Sequence, residues 1–227
     1  MRNYLFLLCY LLFCLGIKAQ ESPKAVEDDK YLEDQFYVGL GFNLLLEKPS
    51  NIVQSSLSYS VQTGFIKDIP FNQKRNFGLG LGLGYATNSY YSNIGASKTD
   101  NVIAYEVLTS DYKRSKFETH AIEIPLELRW RTSTVDEYKF WRIYAGVKLG
   151  YVFSGRSKLV TDSNTTAFSN DDIQNLQYGL QLNFGYNTWN IHAYYGLNPL
   201  LKDDVGIESG ELITMGILRI GVIFYIL

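Results

Sequence analysis

Between positions 122 and 149 of the 227-residue chain, six charged side chains alternate with apolar or aromatic ones: Glu123, Glu127, Arg129, Arg131, Arg142 and Lys148. Two carboxylates beside four cations could act as an acid/base pair or as an interior ion-pair network. Period-two alternation implies strands, and residues four apart on a strand lie roughly 13 Å apart, too far to share one substrate bond. The network is therefore the preferred reading and no catalytic residue is assigned. His120 and His192 have no second histidine or carboxylate at ligand spacing, so no metal or cofactor is expected. His192 could pair with an interior acid. No serine near it forms a hydrolase motif. The alternating glycines Gly78, Gly80, Gly82 and Gly84 lack phosphate-loop spacing and precede no helix. They make room for large side chains such as Tyr37, Arg142 or Tyr144.

The elements that would position these residues follow from the same alternation. Eight segments carry apolar residues at every second position: 36–44, 57–65, 77–85, 122–130, 141–153, 176–184, 189–197 and 218–226. Small, polar or charged residues hold the intervening positions, although both faces are apolar near the C-terminus and the parity there stays open. Pro125 cannot donate a ladder hydrogen bond, which predicts a bulge or kink. Connections alternate between long (47–54, 88–116, 155–172, 198–210) and short (68–75, 132–137 and a tight turn at Asn187–Thr188). Even strand number and alternating loop lengths predict an all-β fold, a single eight-stranded antiparallel transmembrane barrel. In hydrocarbon only helices or closed sheets satisfy the backbone, so the Leu, Ile, Val and aromatic set faces lipid and the charged set faces the lumen. Aromatic residues at segment ends (Phe36, Phe65, Phe77, Tyr85, Trp130, Trp141, Phe153, Trp189) would form the interface girdles. A soluble sandwich or lipocalin-like barrel would instead turn the apolar set inward.

Composition agrees with this assignment. Apolar residues make up 46% and aromatic residues 15%, with 18 Tyr and 13 Phe, a skew toward residues that fit pleated surfaces. Mean hydropathy is −0.09, which excludes a bundle of apolar membrane helices. The net charge of −2 leaves no basic footprint for nucleic acid. Arg2, the apolar run 4–17 and Lys18-Ala19 have the layout of a secretory signal peptide, giving a leader at 1–19, a polar periplasmic segment at 20–34 and the barrel at 35–227. Cys9 and Cys14 both fall in the leader, so neither a disulfide nor thiol chemistry is expected of the remaining chain.

The run 122–132 (IEIPLELRWRT), followed by 138–144 (YKFWRIY) and 146–150 (GVKLG), resembles the PorT family of Bacteroidetes outer-membrane β-barrels. The matching positions are Glu123, Pro125, Glu127, Arg129, Trp130, Arg131, Trp141 and Arg142. The resemblance implies a component of the type IX protein secretion system, which exports proteins bearing a C-terminal sorting domain and supports gliding motility where present. It transfers no catalytic residues. Outer-membrane lipid and other secretion-system proteins are the implied partners, with both termini periplasmic.

The leading expectation is thus a non-enzymatic secretion-apparatus barrel acting through its loops, an eight-stranded lumen being only wide enough for side chains. The apolar stretch Val102–Leu108 in the long third connection is the candidate contact surface, or else a strand extension above the membrane. The alternatives are an outer-membrane rim enzyme acting on lipid or peptide, or a small adhesin or solute-channel barrel.

Overall fold

The computed structural model describes residues 34–226 apart from 73, 101, 133–139 and 209. The expected leader and nearly all of the polar segment lie outside the described residues. Eleven strands are present among them: β1 (Gln35–Leu46), β2 (Tyr59–Pro70), β3 (Phe77–Ser92), β4 (Ile94–Thr99), β5 (Val102–Val107), β6 (Tyr112–Arg131), β7 (Trp141–Thr161), β8 (Thr165–Ser169), β9 (Leu176–Tyr186), β10 (Trp189–Gly196) and β11 (Gly216–Ile226). Eight of them pair antiparallel around a closed ring in the order β1-β2-β3-β6-β7-β9-β10-β11, and β11 returns to β1 from Phe36 opposite Ile226 to Leu46 opposite Gly216. Closure leaves no unpaired edge for hydrocarbon to meet. No helix among the described residues is long and apolar enough to cross a membrane.

The side chains sort as the alternation requires. Leu83, Leu128 and Trp189 point outward and are exposed, while Tyr37, Tyr144, Glu127 and Arg129 point into the lumen and are buried. At the C-terminus, Phe224 and Ile226 face out and Ile223 and Tyr225 face in, which fixes the parity that the sequence leaves open. Every barrel strand contributes an outward aromatic near the short-turn end: Phe36, Phe65, Phe77, Trp130, Trp141, Tyr186, Trp189 and Phe224. Several pack ring on ring, with Phe36–Phe65 centroids 5.1 Å apart and Trp189–Phe224 4.9 Å apart. A second outward group, Tyr85, His120 and Phe153, marks the opposite rim of the apolar band. On β6 the span from Trp130 to His120 corresponds to about 25 Å at a usual strand tilt, the height of an outer-membrane apolar belt.

Beyond that rim the strands continue. β3, β6 and β7 run 16, 20 and 21 residues, and on them the alternation changes sign. From Ile122 to Trp130 the outward positions of β6 are apolar, whereas at Arg114, Lys116 and Glu118 they are charged and the inward Phe117 is buried. On β6 the parity is unbroken and only the surroundings change, from hydrocarbon to water. On β7 the irregularity opposite His120/Ala121 shifts the parity by one residue, so that Arg156 and Lys158 face out where Arg142 and Lys148 face in. The expected third connection is therefore largely sheet, holding the ends of β3 and β6 and the β4–β5 hairpin. Of Val102–Leu108, Val102, Ala104 and Glu106 are exposed on one face of β5, whereas Tyr105 is buried and Ile103 and Val107 pack against the core. That stretch forms the strand of the strand-extension alternative.

Pro125 departs from expectation as well. It lies opposite Lys148 on β7 in unbroken register, and the irregularities of this strand pair fall at Tyr112/Arg114 and His120/Ala121. The missing donor is absorbed on the other side, where the ladder to β3 lapses opposite Pro125 and Ile124 and resumes in the same register. Gly82, with no side chain, gives the pyrrolidine ring its space. The tight turn forms at Asn187–Thr188, with Asn187 at φ 54°, a left-handed conformation that asparagine tolerates.

Candidate functional site: a filled lumen beneath an apolar cap

The six charged residues singled out in the sequence all point into the lumen, in two layers. In the layer nearer the short turns, Asp68 accepts hydrogen bonds from Arg129 (Nη1, 3.1 Å) and Arg131 (Nη1, 3.1 Å; Nη2, 2.8 Å). Arg129 also donates to Glu127 at 3.1 Å and to the Gln35 amide oxygen at 3.0 Å, and its guanidinium lies over the Tyr144 ring at 4.3 Å. The other oxygen of Glu127 accepts from Gln181 and Asn183, each at 3.0 Å. Arg142 stacks on Phe140 at 4.5 Å and meets no carboxylate among the described residues.

In the second layer Glu123 pairs with Lys148 at 3.0 Å and with Arg219 at 3.4 Å. Lys148 donates to Gln62 at 2.7 Å, and Arg219 donates to Asn88 at 2.7 Å and to Asn43 at 3.2 Å. Glu123 and Glu127 thus belong to separate layers with separate cations and form no acid/base pair. Asp68 and Arg219 are essential members that the sequence reading left out. Both had a signal: Asp68 continues the polar parity of Ser60, Gln62 and Gly64, and Arg219 sits out of phase with Leu218 and Ile220.

These side chains are almost wholly withdrawn from solvent, Arg129 at 0%, Glu127 at 1% and Lys148 at 3% exposure. Buried charges persist only when paired and hydrogen-bonded, and here the carboxylates face cations and amides. The glycine column does make room, though for other guests than Arg142 or Tyr144: Gly84 borders Tyr37 and Gly80 borders Arg129. His192 is buried and its Nδ1 lies 2.6 Å from Asn183 Oδ1, so it pairs with an amide rather than with an acid. His120 is on the outer wall, its Nδ1 2.6 Å from the Tyr85 hydroxyl. No three His, Cys, Asp or Glu side chains among the described residues could hold a metal ion.

Above the ionic layers the mouth is closed by an apolar core. Ile52 from the first long connection, Ile94 and Tyr105 from the β4–β5 hairpin, Phe117 from β6, and Leu200, Leu201, Ile213 and Met215 from the last connection pack together. The Tyr105 hydroxyl donates to Asp172 at 2.9 Å and lies 3.1 Å from Asn170 Oδ1. Burial pushes the Tyr105 phenol well above its usual range, so it stays protonated as a donor. Ser115 donates to the Ile94 carbonyl and ties the hairpin to the barrel wall.

The family described as outer membrane protein beta-barrel domain matches residues 18–202. No curated protein matches the sequence. Among solved structures, Ail, the attachment invasion locus protein of Yersinia pestis, is similar at 12% identity and a TM-score of 0.36, covering 85% of this chain and 97% of its own. Ail in complex with the heparin analogue sucrose octasulfate gives 14% identity and 0.36, covering 87% and 100%. A chain from work on asymmetric conductivity of engineered proteins gives 9% and 0.22, covering 86% and 100%.

Proposed function

The chain belongs to the family of outer membrane protein beta-barrel domains, and from that premise we propose that it is a sealed, non-enzymatic barrel working by contact through the cap at its long-connection end. The observation that carries this reading is the filling of the lumen, with two ionic layers below an apolar core. A solute pore needs a hydrated passage past accessible charges, and a rim enzyme needs converging reactive groups open to substrate. Neither fits an interior whose carboxylates are all paired and whose charges, Arg142 on Phe140 included, are out of reach of water. In this reading the termini and short turns are periplasmic and the cap faces outward, the usual arrangement of such barrels.

A second reading, favoured by the resemblance of 122–132 and 138–150 to the PorT family, places the protein in the type IX secretion apparatus. The motif residues are taken up in the lumen (Glu123, Glu127, Arg129, Arg131, Arg142) and on the lipid face (Trp130, Trp141). Secretion partners would therefore bind the cap or the short-turn rim, not the motif. Deleting the gene and comparing culture medium, periplasm and outer membrane by mass spectrometry, against strains complemented with full-length protein or with a variant lacking β4–β5, separates the readings. Sorting-domain cargo held in the periplasm supports the secretion role. Normal export with loss of surface attachment that only the full-length chain restores supports the contact role, and a deletion phenotype confined to solute uptake overturns both.

A further inference from the structure

The part of the sheet that projects beyond the apolar band has an outer face unlike the rest of the wall. Arg114 and Lys116 on β6 stand beside Arg156 and Lys158 on β7, and Lys116 is directly opposite Lys158. Like charges directly opposite across two strands repel. Glu118 is the single acid on this face, opposite Arg156, and it is engaged by Lys116 at 2.6 Å. Arg114 and Lys158 have no acidic partner among the described residues. The strip begins one outward position beyond the His120, Tyr85 and Phe153 rim. In a bilayer that is the level of the lipid headgroups.

Beside the strip lies a notch. β7 pairs with β9 up to Tyr151 and with β8 from Arg156, and between them the wall opens into a polar cavity of about 230 Å³. Ser154, Ser169, Asn170, Asp171 and Lys202 line it, with Phe153 at its lipid side. Asp171 is held by Lys98 at 3.3 Å, and Arg156 lies opposite Ser169 at the lip. The Asn170 amide is spent on Tyr105, Ser157 and the Asp172 N–H, but a cationic face at headgroup height next to the hydroxyls of Ser154 and Ser169 matches an anion that also carries sugar hydroxyls.

We propose that the outer face of the β6–β7–β8 projection binds the phosphorylated headgroup of a glycolipid in the surrounding leaflet. Arg114, Arg156 and Lys158 hold the phosphate, and the notch receives the sugar. This anchors the cap against the leaflet on one side of the barrel. The identity of that leaflet as the outer one rests on the orientation given under the proposed function, but the binding does not, so failure of either is distinguishable.

The test reconstitutes the full chain in phosphatidylcholine nanodiscs doped at equal fraction with bisphosphorylated lipid A, with chemically dephosphorylated lipid A or with phosphatidylglycerol, and reads retained lipid by native mass spectrometry. Retention of phosphorylated over dephosphorylated lipid A by at least about fivefold is expected, the effect of roughly one cation near an anionic surface. The triple variant Arg114→Gln/Arg156→Gln/Lys158→Gln should lose the preference, and Lys67→Gln/Lys74→Gln at the opposite end should keep it. Equal retention of the two lipid A forms, or a preference that survives in the triple variant, overturns the proposal. Phosphatidylglycerol retained as well as phosphorylated lipid A overturns the glycolipid assignment. Should the triple variant fail the gel-shift test of barrel folding, Lys158→Gln alone, with the wild-type preference followed as salt is raised, decides the same point, since a phosphate held by exposed cations is released by screening.

Discussion

Asp68 holds two arginines that have left water entirely, and much of the lower lumen depends on it. Replacing it with alanine leaves Arg129 with Glu127 and Gln35 and strips Arg131 of its bidentate acid. Removing one partner of a buried ion pair costs about 3–5 kcal/mol because the other charge stays desolvated. Urea unfolding of Asp68→Ala in detergent or lipid should show a loss of that order; a loss below about 1 kcal/mol would mean the layer is hydrated and replaceable. The sequence hid this residue for a physical reason. The period-two reading closes the second segment at Phe65, whereas the ladder continues to Pro70, so an interior acid falls among turn residues. On the outer wall, Lys116 holds the Glu118 carboxyl below the usual range against partial burial, which acts the other way. A lowered pKa in the folded state means stabilisation that is present above the unfolded value and lost as pH falls through the folded one. On acidification from about pH 6 to about pH 3, spanning ordinary carboxylate values, the wild type should lose melting temperature relative to Glu118→Gln. Parallel curves for the two proteins would show that the ion pair is without effect.

At the scale of elements, the eight crossings were legible because hydrocarbon on one face and packed charge on the other impose a strict period of two. The extensions of β3, β6 and β7 were not. Past His120 the outer face of β6 turns charged and Phe117 turns inward beside Ser115 and Thr119, while on β7 the irregularity opposite His120/Ala121 exchanges the inward and outward positions. A reading that follows one apolar parity therefore loses both strands where the solvent changes. The same inversion explains why the apolar residues of the long connections turn inward. With water outside, Ile94, Leu200 and Ile213 bury one another over the mouth instead of facing a partner. The cap is thus an apolar core shared with the upper ends of the barrel strands, which lend it Leu45, Tyr90, Phe117, Val152, Tyr194 and Ile217. Truncating Tyr105 to alanine empties a buried aromatic site and leaves Asp172 without its phenol donor, a change typically costing 3–5 kcal/mol for large aromatic residues. Hydrogen exchange and proteolysis should rise in residues 93–111 and 198–215 while the heat-dependent gel shift of the barrel stays unchanged. Loss of both together would show that cap and barrel fold as one cooperative unit.

For the whole molecule, the central question is whether anything passes through it, and the stacking of fillings gives an answer that can be tried piece by piece. Three barriers lie in series along the axis: the apolar cap, the Glu123–Lys148–Arg219 layer and the Asp68–Glu127–Arg129–Arg131 layer. Barriers in series are governed by the tightest, so removing one exposes the next without opening a path. In planar bilayers the intact protein should show no stepwise conductance, and excision of the β4–β5 hairpin should leave it silent. The cap is the barrier most easily displaced, being held by apolar packing and a few polar ties such as Ser115 and Tyr105. The ionic layers hang from β2, β6, β7 and β11, whose ladders are fixed by the closed sheet. Their charges lie out of reach of salt, so silence should persist as ionic strength rises, in contrast to binding at the exposed cationic strip. A hairpin-deleted protein that conducts in discrete steps would place the seal in the cap alone. The lumen charges would then line a gated channel, and the small solute-channel reading would replace the contact one.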